Sequence, residues 1–358
     1  MNHLSRQKTF QKTIEAEGLD GFVVMHPANL RYLCGYSGSN GLLLFLEGRR
    51  VFFTDGRYTQ QAREEVRGVR VVIAKGTLLD TAARSIGDGK RAAIGFEADH
   101  TSVAAANDMR RALRKKVTWK PVSGLVMRQR MVKDDEELSV IRKAVRMGAE
   151  VYEQAIEKIR AGVAESEIAG ELEFAARRAG ADGMSFETIV AGGKRSALPH
   201  GRASHAPIPR RGFVVIDSGV VFEGYCSDMT RTVHVGRASR EERRWYDAVL
   251  EAQLAGIAAV KAGVTAGEVD HAAREVLRRA KLDKFFTHST GHGVGLEIHE
   301  PPRLGTGQKE ELQVGMVVTI EPGIYVADKG GIRIEDMVVV TAKGCEVLTP
   351  VSKELVEI

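Results

Sequence analysis

The sequence predicts two domains of different class: an α/β domain over residues 1–125 and an α+β domain over residues 133–358 with an internal pseudo-twofold duplication. Three observations predict this. At 358 residues the chain exceeds what one hydrophobic core usually holds. Short apolar runs alternate with amphipathic stretches through the first third. In the remainder one pattern occurs twice: Ala161-Gly162-Val163 with Glu167 and Arg177-Arg178 returns as Ala262-Gly263-Val264 with Glu268 and Arg278-Arg279, an offset of 101.

Strands are expected at Gly21–Met25, Gly41–Leu46, Arg50–Thr54, Val69–Ile73 and Ala92–Phe96, where apolar, often β-branched or aromatic residues cluster between polar breaks. Helices are expected near 3–17, 57–66, 78–87 and 102–115. This region holds no phosphate-cradling glycine loop and no cluster of catalytic residue types, so substrate gating or assembly is its expected role. Lys133-Asp-Asp-Glu-Glu-Leu138 then opens a long helix, because Leu138, Ile141, Val145, Gly148, Tyr152, Ile156 and Ile159 recur at three- and four-residue steps. The domain boundary therefore falls within 122–135. Each copy of the repeat follows one helix and begins another. Further on, Val215-Ile216-Asp217-Ser218-Gly219 is answered by Thr319-Ile320-Glu321-Pro322-Gly323 at an offset of 104, and Asp228-Met229 by Glu335-Asp336-Met337 less regularly.

Each half thus donates two carboxylates, set at the end of or inside apolar, β-branched runs. Acids placed there point into a core, where an ionised carboxylate without a partner costs several kcal/mol or more. Turn residues are the ordinary reading of any one such acid. Four that obey the offsets of the repeat, joined by His292 in Gly291-His-Gly-Val-Gly295, point instead to a pair of divalent cations. Four carboxylates and one imidazole make a hard, oxygen-rich donor set that suits Mn²⁺ first and Co²⁺ or Zn²⁺ next. A hydrolase is the expected class, with Asp217, Asp228, His292, Glu321 and Glu335 as ligands.

Composition narrows the setting. The chain is 43% hydrophobic and 28% charged with a net charge of +5, ordinary for a soluble protein. Its densest basic run, Arg110-Arg111-Ala-Leu-Arg114-Lys115-Lys116, lacks interleaved aromatics and reads as a solvated helix face, so no nucleic-acid partner is expected. Cys34, Cys226 and Cys345 show no CxxC spacing and imply neither disulfides nor a zinc knuckle. No apolar stretch suits a signal peptide or a membrane span, so a cytoplasmic location without membrane association is expected.

With these residues assembled, the chain resembles the proline-specific pita-bread metallopeptidases, aminopeptidase P and prolidase. The likeness runs over nearly the whole length. It includes Asn29-Leu-Arg-Tyr32 and Asp55-Gly-Arg-Tyr58 of a creatinase/prolidase-like N-terminal domain. Its specific part is Ser185-Phe-Glu-Thr-Ile-Val-Ala191, Pro199-His200, Asp217-Ser-Gly219, Gly224-Tyr-Cys-Ser-Asp228-Met-Thr-Arg-Thr232, His288-x-x-x-His292-Gly-x-Gly295, His299-Glu300-Pro301, Glu321-Pro-Gly323 and Arg333-Ile-Glu335.

The resemblance implies that Asp217 chelates one ion, that Asp228 and Glu335 bridge both, and that His292 and Glu321 complete the second. It implies hydrolysis of an Xaa-Pro bond by a metal-bridging hydroxide, with Glu321 moving the proton. His200, His288 and His299 match histidines outside the ligand set; His299 is expected at the scissile carbonyl and His200 near the proline side. Arg333 is expected to hold a ligating carboxylate, on the argument that strand alternation gives it the face of Glu335. Arg303 is a candidate for a substrate's C-terminal carboxylate and Phe186 for packing on the proline ring. Tyr325, four residues after Glu321, matches a position behind the ligands that orients them, and is also a candidate on the substrate side. A homodimer acting on proline-containing peptides is implied. The alternatives are a hydrolase of small non-peptide amides on the same scaffold, methionine aminopeptidase, which usually lacks so large an N-terminal domain, and a binding protein that has lost activity.

Overall fold

The chain divides between Arg130 and Met131 into two units; the computed structural model describes residues 1–86, 92–112 and 117–358. In the first unit, strands β1 (Gly21–Val24), β2 (Leu42–Leu46), β3 (Arg49–Thr54), β4 (Arg70–Ile73), β5 (Ala92–Glu97) and β6 (Val117–Val122) form one sheet in the order β4-β3-β2-β1-β5-β6. The sheet is mixed: β1 runs antiparallel to β2 and parallel to β5. Around it stand α1 (His3–Ala16), α2 (Pro27–Cys34), α3 (Thr59–Glu65), α4 (Leu78–Ile86) and α5 (Val103–Ala112), followed by α6 (Leu125–Met131). Val23, Leu42, Leu44, Phe53 and Ile94 fill one face of the sheet.

Two of these elements escape the periodicity argument. Helix α2 is short, but it has Pro27 at its first position and Gly35 at φ 83° behind it, the punctuation a helix of that length needs. Strand β6 contains Pro121, which an edge strand tolerates because one side of its backbone makes no ladder bonds. Gly87 of the expected fourth helix lies outside the described residues, as do residues 113–116 of the basic run; Arg110 and Arg111 sit in the last turn of α5.

The second unit shows the duplication. Its first copy comprises α7 (Asp135–Ile156), α8 (Glu165–Ala179), β7 (Gly183–Met184), β8 (Ile189–Gly192), β9 (Gly212–Ser218), β10 (Val220–Phe222), β11 (Tyr225–Cys226) and β12 (Met229–Val235). The second comprises α9 (Arg240–Ala259), α10 (Ala266–Arg279), β13 (Gly291–Gly293), β14 (Glu300–Leu304), β15 (Val317–Ile320), β16 (Gly323–Val326), β17 (Gly330–Arg333), β18 (Asp336–Val340) and β19 (Cys345–Val347). The ladder β12-β9-β8 of the first copy is matched by β18-β15-β13 of the second, and all these pairings are antiparallel.

Local chemistry starts both copies alike. Gly162 at φ 89° and Gly263 at φ 83° turn the chain into α8 and α10. Thr265 caps α10 reciprocally with Glu268. Ala164 stands at the matching place before α8 and has no side-chain oxygen, so only the return bond from Glu167 to its backbone N–H forms, at 3.2 Å. Helix α7 is capped by Asp134 and Glu137 in both directions, at 2.9 and 3.0 Å.

Candidate metal centre and its cleft

The ladders deliver the acids. Asp217 is the sixth residue of β9, and its cross-strand partner on β12 is Thr230, two residues beyond Asp228. In the second copy Ile320 pairs with Asp336, which places Glu321 and Glu335 just past the same end of the β15/β18 ladder. The run 331–340, continuous in sequence, is broken: β17 pairs with β16 and β18 with β15, and Ile334-Glu335 forms the corner between the two sheets. His292 lies on β13, which the flanking glycines let settle against its neighbours. A Cβ on Gly291 would strike the Thr319 carbonyl, and one on Gly293 the Pro301 carbonyl.

One oxygen each of Asp228 and Glu335 and one nitrogen of His292 lie within 4.8 Å of one another. His292 Nε2 is 3.6 Å from Asp228 Oδ2 and 3.5 Å from Glu321 Oε1. Its Nδ1 donates to the Gly293 carbonyl at 3.0 Å, so in the neutral ring the Nε2 lone pair faces the acids. Burial pushes this imidazole down to about 4, leaving it neutral at pH 7.

Burial, then the charges of Glu335, Asp217 and Glu321, raise Asp228 well above the usual carboxylate range. Burial, then Glu321 and Asp217, do the same to Glu335. Burial pushes Glu321 up to about 8 against the opposing pull of Arg333. Asp217 Oδ1 and Glu335 Oε1 are buried and accept no hydrogen bond from the described residues. Mutually repelling carboxylates, two acceptors without donors and an inward lone pair are what divalent cations at this point would satisfy, so the residues fit the group.

Behind the acids Arg333, 3% exposed, ties the two copies together. Its Nη2 donates to Asp217 Oδ2 at 2.6 Å and its Nε to Thr230 Oγ1 at 3.0 Å. Thr230 in turn donates to Glu335 Oε2 at 2.7 Å. Arg333 thus holds a ligating carboxylate, that of Asp217; only the strand-alternation argument for it fails, because the corner at Ile334-Glu335 ends the alternation. Of the two places expected for Tyr325, the structure gives the one behind the ligands and not the substrate side. Tyr325 is 8% exposed and does not line the cleft, because its hydroxyl is drawn between Arg333 Nη1 (2.7 Å) and His288 Nε2 (2.8 Å). Burial pushes this phenol up to about 12. His288 donates from Nδ1 to the Ser289 carbonyl and accepts the tyrosine proton at Nε2, and burial holds it down to about 4.

A cleft of about 810 Å³ opens over the acids. Its wall carries all five expected ligands together with His200, His288, His299, Arg303, Arg333 and Phe186, and apolar surface from Ile189, Pro199 and Ile298. His299 stands beside His292 with ring centroids 4.5 Å apart, and partial burial lowers its pKa. Sequence reasoning missed four contributors. Thr230, the second residue of β12, stands two residues beyond Asp228, a period-two signal that was available. Glu187 and Glu300 lie inside motifs noted in the sequence but were given no role there, and Arg202, which pairs with Glu187 at 2.9 Å on the wall, had no local signal.

Known proteins share this architecture. The model of metallopeptidase family M24 matches residues 139–342, and that of the creatinase/prolidase N-terminal domain matches residues 6–132. The Xaa-Pro dipeptidase of Pyrococcus furiosus is 35% identical over 351 residues, covering 98% of this chain and 99% of its own length. Among solved structures, the Xaa-Pro dipeptidase from Bacillus anthracis superposes with a TM-score of 0.95 at 39% identity, covering 100% of both chains. The X-Pro aminopeptidase from Thermotoga maritima does so at 0.90 and 37%, covering 97% of this chain and 100% of that one.

Proposed function

The chain belongs to metallopeptidase family M24, with a creatinase/prolidase N-terminal domain, and from that premise we propose that it hydrolyses the Xaa-Pro bond of dipeptides and of short peptides at their N-terminus. The observation that carries the reading is the convergence of four carboxylates and one neutral imidazole in the wall of a cleft that also presents Arg303. Two divalent ions, Mn²⁺ first and Co²⁺ or Zn²⁺ next, would be held by Asp217, Asp228, His292, Glu321 and Glu335. They would supply an acidified water for attack and a polarised carbonyl.

The remaining work falls to side chains. Glu321 takes the proton of the attacking water and passes it to the proline nitrogen as the bond breaks. His299 donates to the carbonyl oxygen as charge builds on it, and His200 contacts the proline side. Arg303, exposed and without a carboxylate partner among the described residues, suits the free C-terminal carboxylate of a dipeptide. A tertiary Xaa-Pro amide offers no N–H, so recognition rests on packing of the ring, for which Phe186 lies in the wall. Tyr325 and Arg333 orient His288 and Asp217 from behind. A cytoplasmic homodimer completes the proposal. No helix among the described residues is long and apolar enough to cross a membrane.

The test is an assay of the Mn²⁺-loaded protein on an Xaa-Pro dipeptide and an Xaa-Pro-Yaa-Zaa tetrapeptide, with Asp228→Ala as control. Cleavage of the dipeptide alone makes the activity that of a dipeptidase, and release of the first residue of the tetrapeptide that of an aminopeptidase. Silence on both with metal bound overturns the proposal and favours a non-peptide amide substrate.

A further inference from the structure

A buried ion pair beside the cleft has no part in the chemistry above. Lys133 Nζ lies 3.2 Å from Glu300 Oε2, and both side chains are 1% exposed. The lysine is anchored at its base: its backbone N–H donates to the Gly315 carbonyl at 3.0 Å, Val132 forms a bridge with Met316, and Nζ also donates to the Met131 carbonyl at 3.3 Å. Glu300 is boxed from the other side. Its Oε1 accepts the Glu297 N–H at 3.2 Å, and a Cβ on Gly295 would lie 2.6 Å from both carboxylate oxygens. Glu300 itself opens β14, directly after His299 and three residues before Arg303, and all three border the cleft.

Burying an ammonium and a carboxylate together costs desolvation that their attraction roughly repays, so apolar residues of the same size would stabilise the fold as well or better. What such a pair supplies is a fixed place for its partners. We propose that Lys133 is a positioning residue: through Glu300 it sets the segment that carries His299 to the scissile carbonyl and Arg303 to the substrate carboxylate. The proposal rests on the Xaa-Pro reading for the identity of the substrate, and on the geometry alone for the placement of His299.

The experiment compares the full-length wild type, Lys133→Met, Lys133→Arg and the double variant Lys133→Met/Glu300→Met. It reads thermal midpoint, bound Mn²⁺, kcat and KM on an Xaa-Pro dipeptide, and the ¹⁵N ring signals of His299. Lys133→Met is expected to keep its metal and lose tenfold or more in kcat/KM through both constants, with the His299 signals displaced; Lys133→Arg recovers most of the loss. If the single variant does not fold, the double variant, which removes both charges of the pair, is expected to fold and still show the deficit. A double variant or Lys133→Met with lowered or unchanged midpoint but kcat and KM within twofold of wild type overturns the proposal. If the wild type itself cleaves no Xaa-Pro substrate, the function reading fails, and the His299 signals decide this one: displaced they support it, unchanged they overturn it.

Discussion

The two copies within the catalytic unit contribute equally to the acids and unequally to everything else. Asp217 and Asp228 come from the ladder β8-β9-β12, Glu321 and Glu335 from its counterpart β13-β15-β18. Gly192 pairs with Val214 in the first and Gly293 with Val318 in the second, so the residue that answers His292 is Ala191, a buried alanine. His288, His299, Arg303 and Arg333 also belong to the second copy. The lesson is that duplication of a strand ladder fixes the carboxylates, while departures from symmetry at a few positions supply the imidazole among them and the other nitrogen-bearing side chains of the cleft wall.

The comparison can be broken most severely at the shared acids. Asp228→Ala removes a carboxylate on which three others bear, and is expected to lower kcat/KM about a thousandfold or more and to reduce bound Mn²⁺, read by steady-state assay and elemental analysis. Next comes a group of the second copy alone. His299→Ala is expected to lower kcat about a hundredfold or more with bound metal unchanged, as loss of a donor to the carbonyl oxygen does.

A third expectation concerns pH. His288 is held at about 4 when folded, against an ordinary 6.5, so the unfolded chain binds more protons between those values. Its contribution to stability is whole above pH 6.5 and is lost as the pH falls toward 4, by at most about 3 kcal/mol. Unfolding free energies of wild type and of His288→Gln, compared over that window, isolate it: the difference between them should shrink as the pH falls.

The smallest effect tests the symmetry itself. Ala164 (φ −70°, ψ 144°) and Thr265 (φ −75°, ψ 148°) have nearly the same backbone, and only Thr265 caps its helix. Ala164→Thr should stabilise by about 1 kcal/mol and Thr265→Ala destabilise by about 1 kcal/mol in urea unfolding.

The legible part of this molecule was the part written in local patterns. The repeat was visible because the glycine turns and the acids at helix starts recur at fixed offsets. Asp217, Asp228, His292, Glu321 and Glu335 stood out because acids interrupt apolar strands only at a cost. The corner at Ile334-Glu335 was not legible, since both flanking strands are apolar and only tertiary pairing assigns them to different sheets. Nor was the meeting of Lys133 with Glu300, which brings together residues 167 positions apart.

The central claim is that both copies together hold a pair of divalent cations. Calorimetric titration of the chelator-stripped protein with Mn²⁺ tests it most directly, alongside His292→Ala, which makes the two ladders alike at that position. The account predicts two ions per chain for the wild type and the loss or marked weakening of one in the variant. A single ion in the wild type, or two bound equally well without His292, would contradict it.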